Sequence, residues 1–187
     1  TTHKTLRGPR GAMILSKGEY GESIDKAVFP GLQGGPHNHT TAGIALALKE
    51  ASTQEFRTYA KQIVLNSKKL SEELSKRGFK IVSGGTDNHL FLVDTISSVG
   101  LSGKEASDLL ENSNITVNKN AIPSDPRKPW DPSGIRIGTP AITTRGFVED
   151  DMVHVAEMIS TILKDKKDIK SKVKNFAKQF PIPGIKR

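Results

Sequence analysis

Residues 78–93 read GFKIVSGGTDNHLFLV, and the hydrophobic pattern of the chain changes within this stretch. Before Gly78, apolar residues recur at helical spacing over about residues 53–77, which predicts an amphipathic helix of about 37 Å at 1.5 Å per residue. Gly78 is typical of the residue that follows a helix. After it, residues 79–82 and 90–93 are short apolar runs of the strand type, separated by a Gly-rich loop. The change predicts a linking helix followed by an α/β domain.

The chain beyond residue 93 continues with short elements. Ser102 and Glu105 have the spacing of a capping box, which predicts a helix start. Pro181 and Pro183 are typical of the end of a helix. The predicted elements, in chain order, are a helix to about Asn112, a strand at 115–117, an irregular loop at 120–134, a strand at 135–138 and a terminal helix from about 149 to 180.

The first 52 residues contain fewer elements. Residues 12–16 form an apolar run that predicts a buried strand, residues 29–36 form a Gly/Pro-rich loop, and residues 38–51 predict a helix. These parts are too few to bury a hydrophobic core of their own.

Composition restricts the class of protein. The chain has 187 residues, of which 35% are hydrophobic and 26% are charged, as in globular domains. It has no cysteine, which excludes disulfides, thiolate metal sites and a catalytic thiol. We expect no signal peptide and no membrane span. Because the first methionine is Met13, we expect the sequence to be part of a longer one.

The formal net charge of +8 is concentrated near the C-terminus. Residues 164–187 carry nine Lys or Arg residues and two Asp residues, so the other residues are nearly neutral. Such a segment is either the solvated face of a helix or a surface that attracts nucleic acid or an anionic membrane. Phe176 and Phe180 are its only aromatic residues, fewer than a base-stacking surface requires. We therefore favour the solvated face.

Three motifs contain residues with reactive or ligand-binding groups. The first is TTHKTLRGPRG at residues 1–11. Lys4 could act as a Schiff-base nucleophile, because Arg7 and Arg10 favour the neutral amine that this reaction needs. A lysine in a polar loop is also typical of a solvated surface.

The second motif is QGGPHNH at residues 33–39. Gly34 and Gly35 precede a predicted helix, where free backbone N–H groups can bind a phosphate. The alternative is a tight turn that needs a positive φ angle. His37 and His39 are two residues apart, which does not match the four-residue spacing of a helical metal pair, so we expect no metal.

The third motif is SGIRIGTP at residues 133–140. Arg136 lies within an apolar strand, where an arginine is costly unless its charge is paired. It could form a structural ion pair or bind a ligand carboxylate through both guanidinium N–H groups.

Together the motifs at 1–11, 28–39 (VFPGLQGGPHNH) and 134–141 (GIRIGTPA) closely resemble serine hydroxymethyltransferases. These are pyridoxal-phosphate enzymes of the aspartate aminotransferase fold, fold type I. The resemblance runs through nearly the whole chain but covers only the C-terminal part of the family's usual length. It implies that residues 1–52 are the C-terminal piece of the large cofactor-binding domain. Residues 53–77 would form the helix that links it to the small C-terminal α/β domain, residues 78–187.

The resemblance also implies roles for single residues. Lys4 matches the lysine that holds pyridoxal phosphate covalently. His3, Thr1 and Arg10 match active-site neighbours, with Thr1 a candidate proton-handling hydroxyl. Gly34 and Gly35 match the pair that reaches the cofactor phosphate of a partner subunit, which implies a homodimer or a dimer of dimers.

Two further sites are implied for the substrates. Arg136 matches the arginine that binds the substrate carboxylate, and Asn120 with Lys128, Pro129 and Trp130 falls where the family binds tetrahydrofolate. Ala12 stands where many relatives have a second glycine.

The implied activity moves the hydroxymethyl carbon of serine to tetrahydrofolate, giving glycine and methylenetetrahydrofolate in the cytoplasm. The residues that pair with the cofactor's pyridine nitrogen and stack on its ring lie upstream in the family, so we expect these 187 residues to be inactive alone. Two alternatives are a folate-independent pyridoxal-phosphate aldolase of β-hydroxy amino acids and a basic nucleic-acid-binding module.

Overall fold

The computed structural model describes residues 1–184, which fall into two compact units, Thr1–Thr58 and the chain from Tyr59 onward. Lys186 and Arg187 of the predicted basic segment lie outside the described residues. The division of the sequence at residues 52 and 77 stays a prediction.

The first unit contains short helices and loops. A single helical turn at Gly18–Tyr20 precedes α1, and a wide helical turn at Ala27–Leu32 follows it and contains a cis bond between Phe29 and Pro30. The α-helices that begin in this unit are α1 (Gly21–Lys26), α2 (Asn38–Ala51) and α3 (Gln54–Lys76), the last of which continues into the second unit.

The second unit combines helices with a small sheet. Its elements after α3 are β1 (Lys80–Ile81), a helical turn at Val82–Gly84, β2 (Leu90–Asp94), α4 (Thr95–Val99), α5 (Gly103–Asn112), β3 (Asn118–Asn120), β4 (Gly134–Gly138), α6 (Pro140–Thr144), α7 (Glu149–Asp165) and α8 (Lys170–Ala177). The strands are all antiparallel in the order β1-β2-β4-β3.

The core lies on one face of this sheet. Phe91 and Val93 of β2 and Ile135 and Ile137 of β4 are buried, whereas Arg136 between them is exposed, as the two-residue period of a strand requires. Helices α3, α5 and α7 cover the buried face. Their core side chains are Leu70, Leu74, Ala106, Leu110, Met152, Ala156, Ile159, Ile162 and Leu163.

Several predicted elements are confirmed. Helices α2 and α3 agree with the predictions within a residue, and the α/β class is confirmed. The capping box of α5 is present in both directions, with the Ser102 hydroxyl accepting from the Glu105 N–H and the Glu105 carboxylate accepting from the Ser102 N–H.

The predictions of strands from the apolar runs at 12–16 and 115–117 are wrong. Residues 12–16 adopt neither helix nor strand, and Ile14 and Leu15 are exposed, because no described strand pairs with them. The second strand lies three residues later, at Asn118–Asn120, where the backbone pairs with β4. Strand position thus follows backbone pairing rather than apolar content.

The prediction of a single terminal helix is also wrong. The chain forms two helices, because Lys166 adopts a left-handed conformation at the end of α7 (φ 53°) and residues 166–169 leave the helix before α8 begins. The apolar spacing nevertheless continues across the break, and Phe176 and Phe180 pack against Phe147 beside the core.

Candidate functional site

Lys4 lies at the tip of a closed loop in the first unit. The Arg7 N–H donates to the Lys4 carbonyl at 2.9 Å, which closes a four-residue turn, and Arg7 adopts a positive φ of 59°. At the base of the loop, the Thr2 N–H donates to the Gly11 carbonyl at 3.0 Å and the Gly8 N–H donates to the Thr2 carbonyl at 2.7 Å. The loop therefore holds Lys4 on a fixed backbone with its side chain exposed.

Small residues fasten this loop to α2. A Cβ atom at Gly11 would come within 2.9 Å of Ile44 Cδ1, and one at Gly43 would come within 3.0 Å of Pro9 Cγ. A Cβ atom at Gly8 would lie 3.1 Å from the Cβ atom of Ala47, which is buried. The glycines are therefore required by the close approach of loop and helix, which explains the Gly/Pro content of the motif.

The environment of Lys4 fits a lysine that bears a carbonyl cofactor. No carboxylate of the described residues pairs with the Lys4 amine. The neighbouring His3 is half-buried, and its Nδ1 atom is buried without a hydrogen-bond partner, so one polar group remains available to a ligand. Thr1 and Arg10 are exposed.

Gly34 and Gly35 are exposed and lie just before α2, whose first residue is Asn38. Gly35 has a φ of 46°, and a Cβ atom at either glycine would meet no heavy atom within 4 Å. The positive φ of Gly35 agrees with the tight-turn interpretation. The open space around both glycines also leaves their backbone accessible to a phosphate.

Arg136 projects from β4 on the exposed face of the sheet in the second unit. Its Nη2 atom donates to the Asn118 Oδ1 atom of β3 at 3.1 Å, and the two residues are register partners. Within residues 1–184 no carboxylate pairs with Arg136, so the structural ion pair is not formed there. Exposure removes the desolvation cost, and the guanidinium keeps donors free for an anion.

The strand that carries Arg136 is fixed at both ends. Before it, the carbonyl of buried Ser133 accepts from the Thr95 and Ile96 N–H groups and from the Thr95 hydroxyl. After it, the hydroxyl of buried Thr139 donates to the Ile63 carbonyl at 2.8 Å, and its N–H donates to the His89 carbonyl at 3.1 Å. Arg136 is therefore held by a strand with little freedom to shift.

Asp125 organises the loop before β4. Its carboxylate accepts hydrogen bonds from the Ile122, Arg127 and Ser133 N–H groups and from the Ser133 hydroxyl, at 2.7–3.2 Å. The Ser133 N–H, followed by smaller contributions that include the other hydrogen bonds, holds the pKa of Asp125 well below its usual range. The sequence prediction missed Asp125, although an Asp before Pro126 in a proline-rich loop is a typical turn signal.

The loop presents Trp130, the only tryptophan of the chain, with 64% of its surface exposed. The Lys128 amine lies 5.2 Å from the centre of its ring, and the Lys119 amine donates to the Trp130 carbonyl at 3.0 Å. Pro129 between them is exposed. Asn120 lies opposite Gly134 at the edge of the sheet, so it is on the strand next to β4. Three of the predicted folate residues, Lys128, Pro129 and Trp130, thus lie together on one loop, and the fourth, Asn120, lies on the strand beside β4.

Residues 1–184 contain no group of three or more His, Asp or Glu residues arranged to bind a metal ion. None of their helices has the length and apolar character that crossing a membrane requires.

The Lys4 loop and the Arg136 strand both fall within the match to one known protein family. A sequence model of the serine hydroxymethyltransferase family matches residues 1–159, which include both the Lys4 loop and the Arg136 strand. The chain belongs to this family. Its predicted membership and its fold class, the C-terminal part of a fold type I enzyme, are thereby confirmed.

Individual serine hydroxymethyltransferases match along the whole chain. The chain is 52% identical to the enzyme of Acidothermus cellulolyticus over 199 aligned residues, covering 100% of this chain and 46% of the relative. It is 53% identical to that of Sorangium cellulosum (100% and 45%) and 50% identical to that of Desulfotalea psychrophila (99% and 45%). The chain therefore spans about half the length of the curated relatives it matches. These matches do not favour the aldolase or the nucleic-acid-binding alternative.

Proposed function

We propose that this chain supplies the C-terminal part of a serine hydroxymethyltransferase, which transfers the hydroxymethyl carbon of serine to tetrahydrofolate. The observation that carries the proposal is the family match over residues 1–159, together with about 50% identity to named enzymes along the whole chain. Glycine and methylenetetrahydrofolate are the products that follow.

In this proposal Lys4 holds pyridoxal phosphate covalently through its Nζ atom. The closed loop fixes the backbone of Lys4, and the unpartnered Nδ1 atom of His3 offers a hydrogen-bonding group next to it. Thr1 and Arg10 are proposed to contact the same group. When bound, pyridoxal phosphate supplies an electron sink for the bond that is broken at the amino-acid carbon.

Arg136 binds the serine carboxylate through two parallel N–H donors, and Asn118 orients its guanidinium from β3. Because β4 is anchored at Ser133 and Thr139, the carboxylate is held in one direction, which aligns the reacting bond. Trp130, Lys128, Pro129 and Asn120 are proposed to receive tetrahydrofolate, since an exposed aromatic ring beside a lysine suits a planar, negatively charged molecule.

The assembly proposed is a homodimer, or a dimer of such dimers, in the cytoplasm. Gly34 and Gly35 reach the cofactor phosphate of the partner subunit, which is supported by their open backbone before α2.

The experiment joins the N-terminal part of the Acidothermus enzyme to Thr1 of this chain, giving a chimera of full family length. We expect serine-dependent formation of methylenetetrahydrofolate, and borohydride reduction followed by peptide mapping should label Lys4. Lys4→Arg should abolish both signals, whereas Lys17→Arg, at an exposed lysine of the same unit, should keep them.

Three outcomes would contradict the proposal. A label on Lys17 or Lys119 would show that Lys4 is wrongly assigned. Folate-independent cleavage of β-hydroxy amino acids without transfer would favour the aldolase. An unlabelled, inactive chimera whose unmodified Acidothermus counterpart is active would overturn the function proposed for this chain.

A further inference from the structure

A basic groove runs along α8 in the second unit, away from Arg136 in the sequence. We call it the α8 groove, a surface cavity of about 620 Å³ whose polar and charged lining residues are Asn114, Arg145, Lys170, Ser171, Lys174 and Lys178. Among the described residues, its lining contains four cationic side chains and no carboxylate.

The register of α8 accounts for the row of lysines. Lys170, Lys174 and Lys178 are four residues apart, so their side chains follow one another along one side of the helix. From Lys170 to Lys178 the row spans about 12 Å at 1.5 Å per residue. Three like charges at this spacing repel one another when no anion lies between them.

Among the described residues, two lysines near the groove pair with carboxylates, whereas those that line it do not. Lys172, on another side of α8, pairs with Glu157 at 2.7 Å, and Lys167 before the helix lies 4.0 Å from Asp165. By contrast, no carboxylate within residues 1–184 pairs with any of the four groove cations. Asp168, the nearest acid along the chain, accepts from the Lys170 N–H at 2.9 Å and does not line the groove.

Arg145 gives the groove a fixed charge. Its Nη2 atom donates to the Ala177 carbonyl at 2.6 Å and its Nε atom donates to the Phe180 carbonyl at 2.8 Å, so the half-buried guanidinium is locked against the end of α8. Its Nη1 atom has no hydrogen-bond partner among the described residues. A donor held in this way loses little freedom when it binds an anion.

We propose that the α8 groove binds a small, multiply charged phosphate anion, such as a molecule with two or three linked phosphates. The anion would neutralise the lysine row and accept from Arg145, while the Asn114 amide and the Ser171 hydroxyl would add neutral polar groups. A short phosphate chain is favoured over a nucleic-acid backbone because the lysine row ends after about 12 Å. The inference is independent of the function proposed above.

The test titrates inorganic tripolyphosphate into the 187-residue chain by calorimetry at two salt concentrations. We expect one saturable site that weakens with salt. The double variant K174Q/K178Q should bind about tenfold more weakly or worse, because it removes two charge-assisted hydrogen-bond donors. The matched control, K166Q/K167Q, removes the same charge from the α7–α8 connection and should change affinity less than about threefold. The single variant K170Q, checked like the others by its thermal unfolding, should be intermediate.

The alternative outcomes are decisive. Equal weakening in K174Q/K178Q and K166Q/K167Q would mean attraction to net charge only and would overturn the site. Absence of saturable binding would also overturn it. Tighter binding of a single-stranded oligonucleotide, sensitive to the same two lysines, would replace the small anion with a nucleic acid.

Discussion

At the residue scale, the surroundings of Arg136 differ from those of an arginine in a structural ion pair. Its guanidinium is exposed and has a neutral amide, Asn118, as its hydrogen-bond acceptor. An uncompensated cation on a strand fixed at both ends can bind an anion without reordering of the backbone.

In the active chimera, Arg136→Ala should raise the serine KM about 10- to 100-fold, because hydrogen bonds to charged groups contribute about 1.5–3 kcal/mol. Arg136→Lys should rescue only part of this loss, since an ammonium lacks the two parallel donors. Steady-state kinetics at varied serine measures both, with Asn118→Ala expected to have the smaller effect. If both Arg136 variants bind serine as the parent does, the carboxylate site lies elsewhere.

A second residue-scale prediction concerns Asp125. Its pKa is lowered in the folded protein, so its contribution to stability is present above the ordinary value of about 3.9 and is lost as the pH falls through the lowered one. Asp125→Asn should therefore loosen the loop at neutral pH, shifting the fluorescence of Trp130 and lowering Tm.

The difference between Asp125→Asn and the parent chain should shrink in acid. Asp87→Asn is the matched control, because Asp87 is exposed on the loop before β2 and pairs with Lys68 of α3 at 3.1 Å. If the Trp130 fluorescence of Asp125→Asn equals that of the parent chain from neutral to acidic pH, the loop is held by other contacts.

At the scale of elements, the start of α5 lies against the start of β4. The Gly103 N–H donates to the Pro132 carbonyl at 2.7 Å, and a Cβ atom at Gly103 would overlap the carbonyl oxygen of Gly134. Since backbone atoms cannot move aside as a side chain can, only glycine allows this approach. The helix cap and the strand that carries Arg136 are thus fixed to each other.

Gly103→Ala should consequently destabilise the second unit by about 1–3 kcal/mol, the usual cost of overpacking. Gly85→Ala serves as the control, because a Cβ atom there meets no heavy atom within 4 Å and its φ of 164° is extended. Urea unfolding followed by Trp130 fluorescence measures both. Equal stability of the two variants would show that α5 can shift away from β4 at no cost.

At the scale of the whole molecule, the two units differ in how much apolar surface they bury. Ala47 is the one buried hydrophobic residue within residues 1–58, whereas the second unit buries a continuous cluster. Met13, Ile14, Leu15 and Leu32 of the first unit are exposed. Few apolar contacts therefore stabilise the first unit by itself.

We expect hydrogen exchange of the 187-residue chain to reflect this difference. Amides of residues 1–52 should exchange quickly, because few buried contacts oppose local opening, and those of β2, β4 and α7 should be the slowest. Mass spectrometry of exchanged peptides measures both sets in one sample. Uniformly slow exchange across residues 1–52 would contradict the expectation.

The elements whose signals are local could be predicted from the amino-acid sequence alone. Helices α2 and α3, the capping box at Ser102 and the alternation of β4 follow from side-chain period and capping chemistry within a few residues, and the motifs at residues 1–11 and 134–141 identified the family. Such signals need no distant partner, so they can be read along the chain.

Features that depend on partners distant in sequence could not be predicted and are seen only in the folded chain. The apolar run at 12–16 has no described strand to pair with, while polar residues 118–120 form a strand because β4 lies beside them. The exposure of Arg136 depends on which face of the sheet the helices cover, and the role of Asp125 depends on Ser133, eight residues away. Backbone hydrogen bonds and burial are shared between segments far apart in sequence, so these outcomes are settled only when the segments meet.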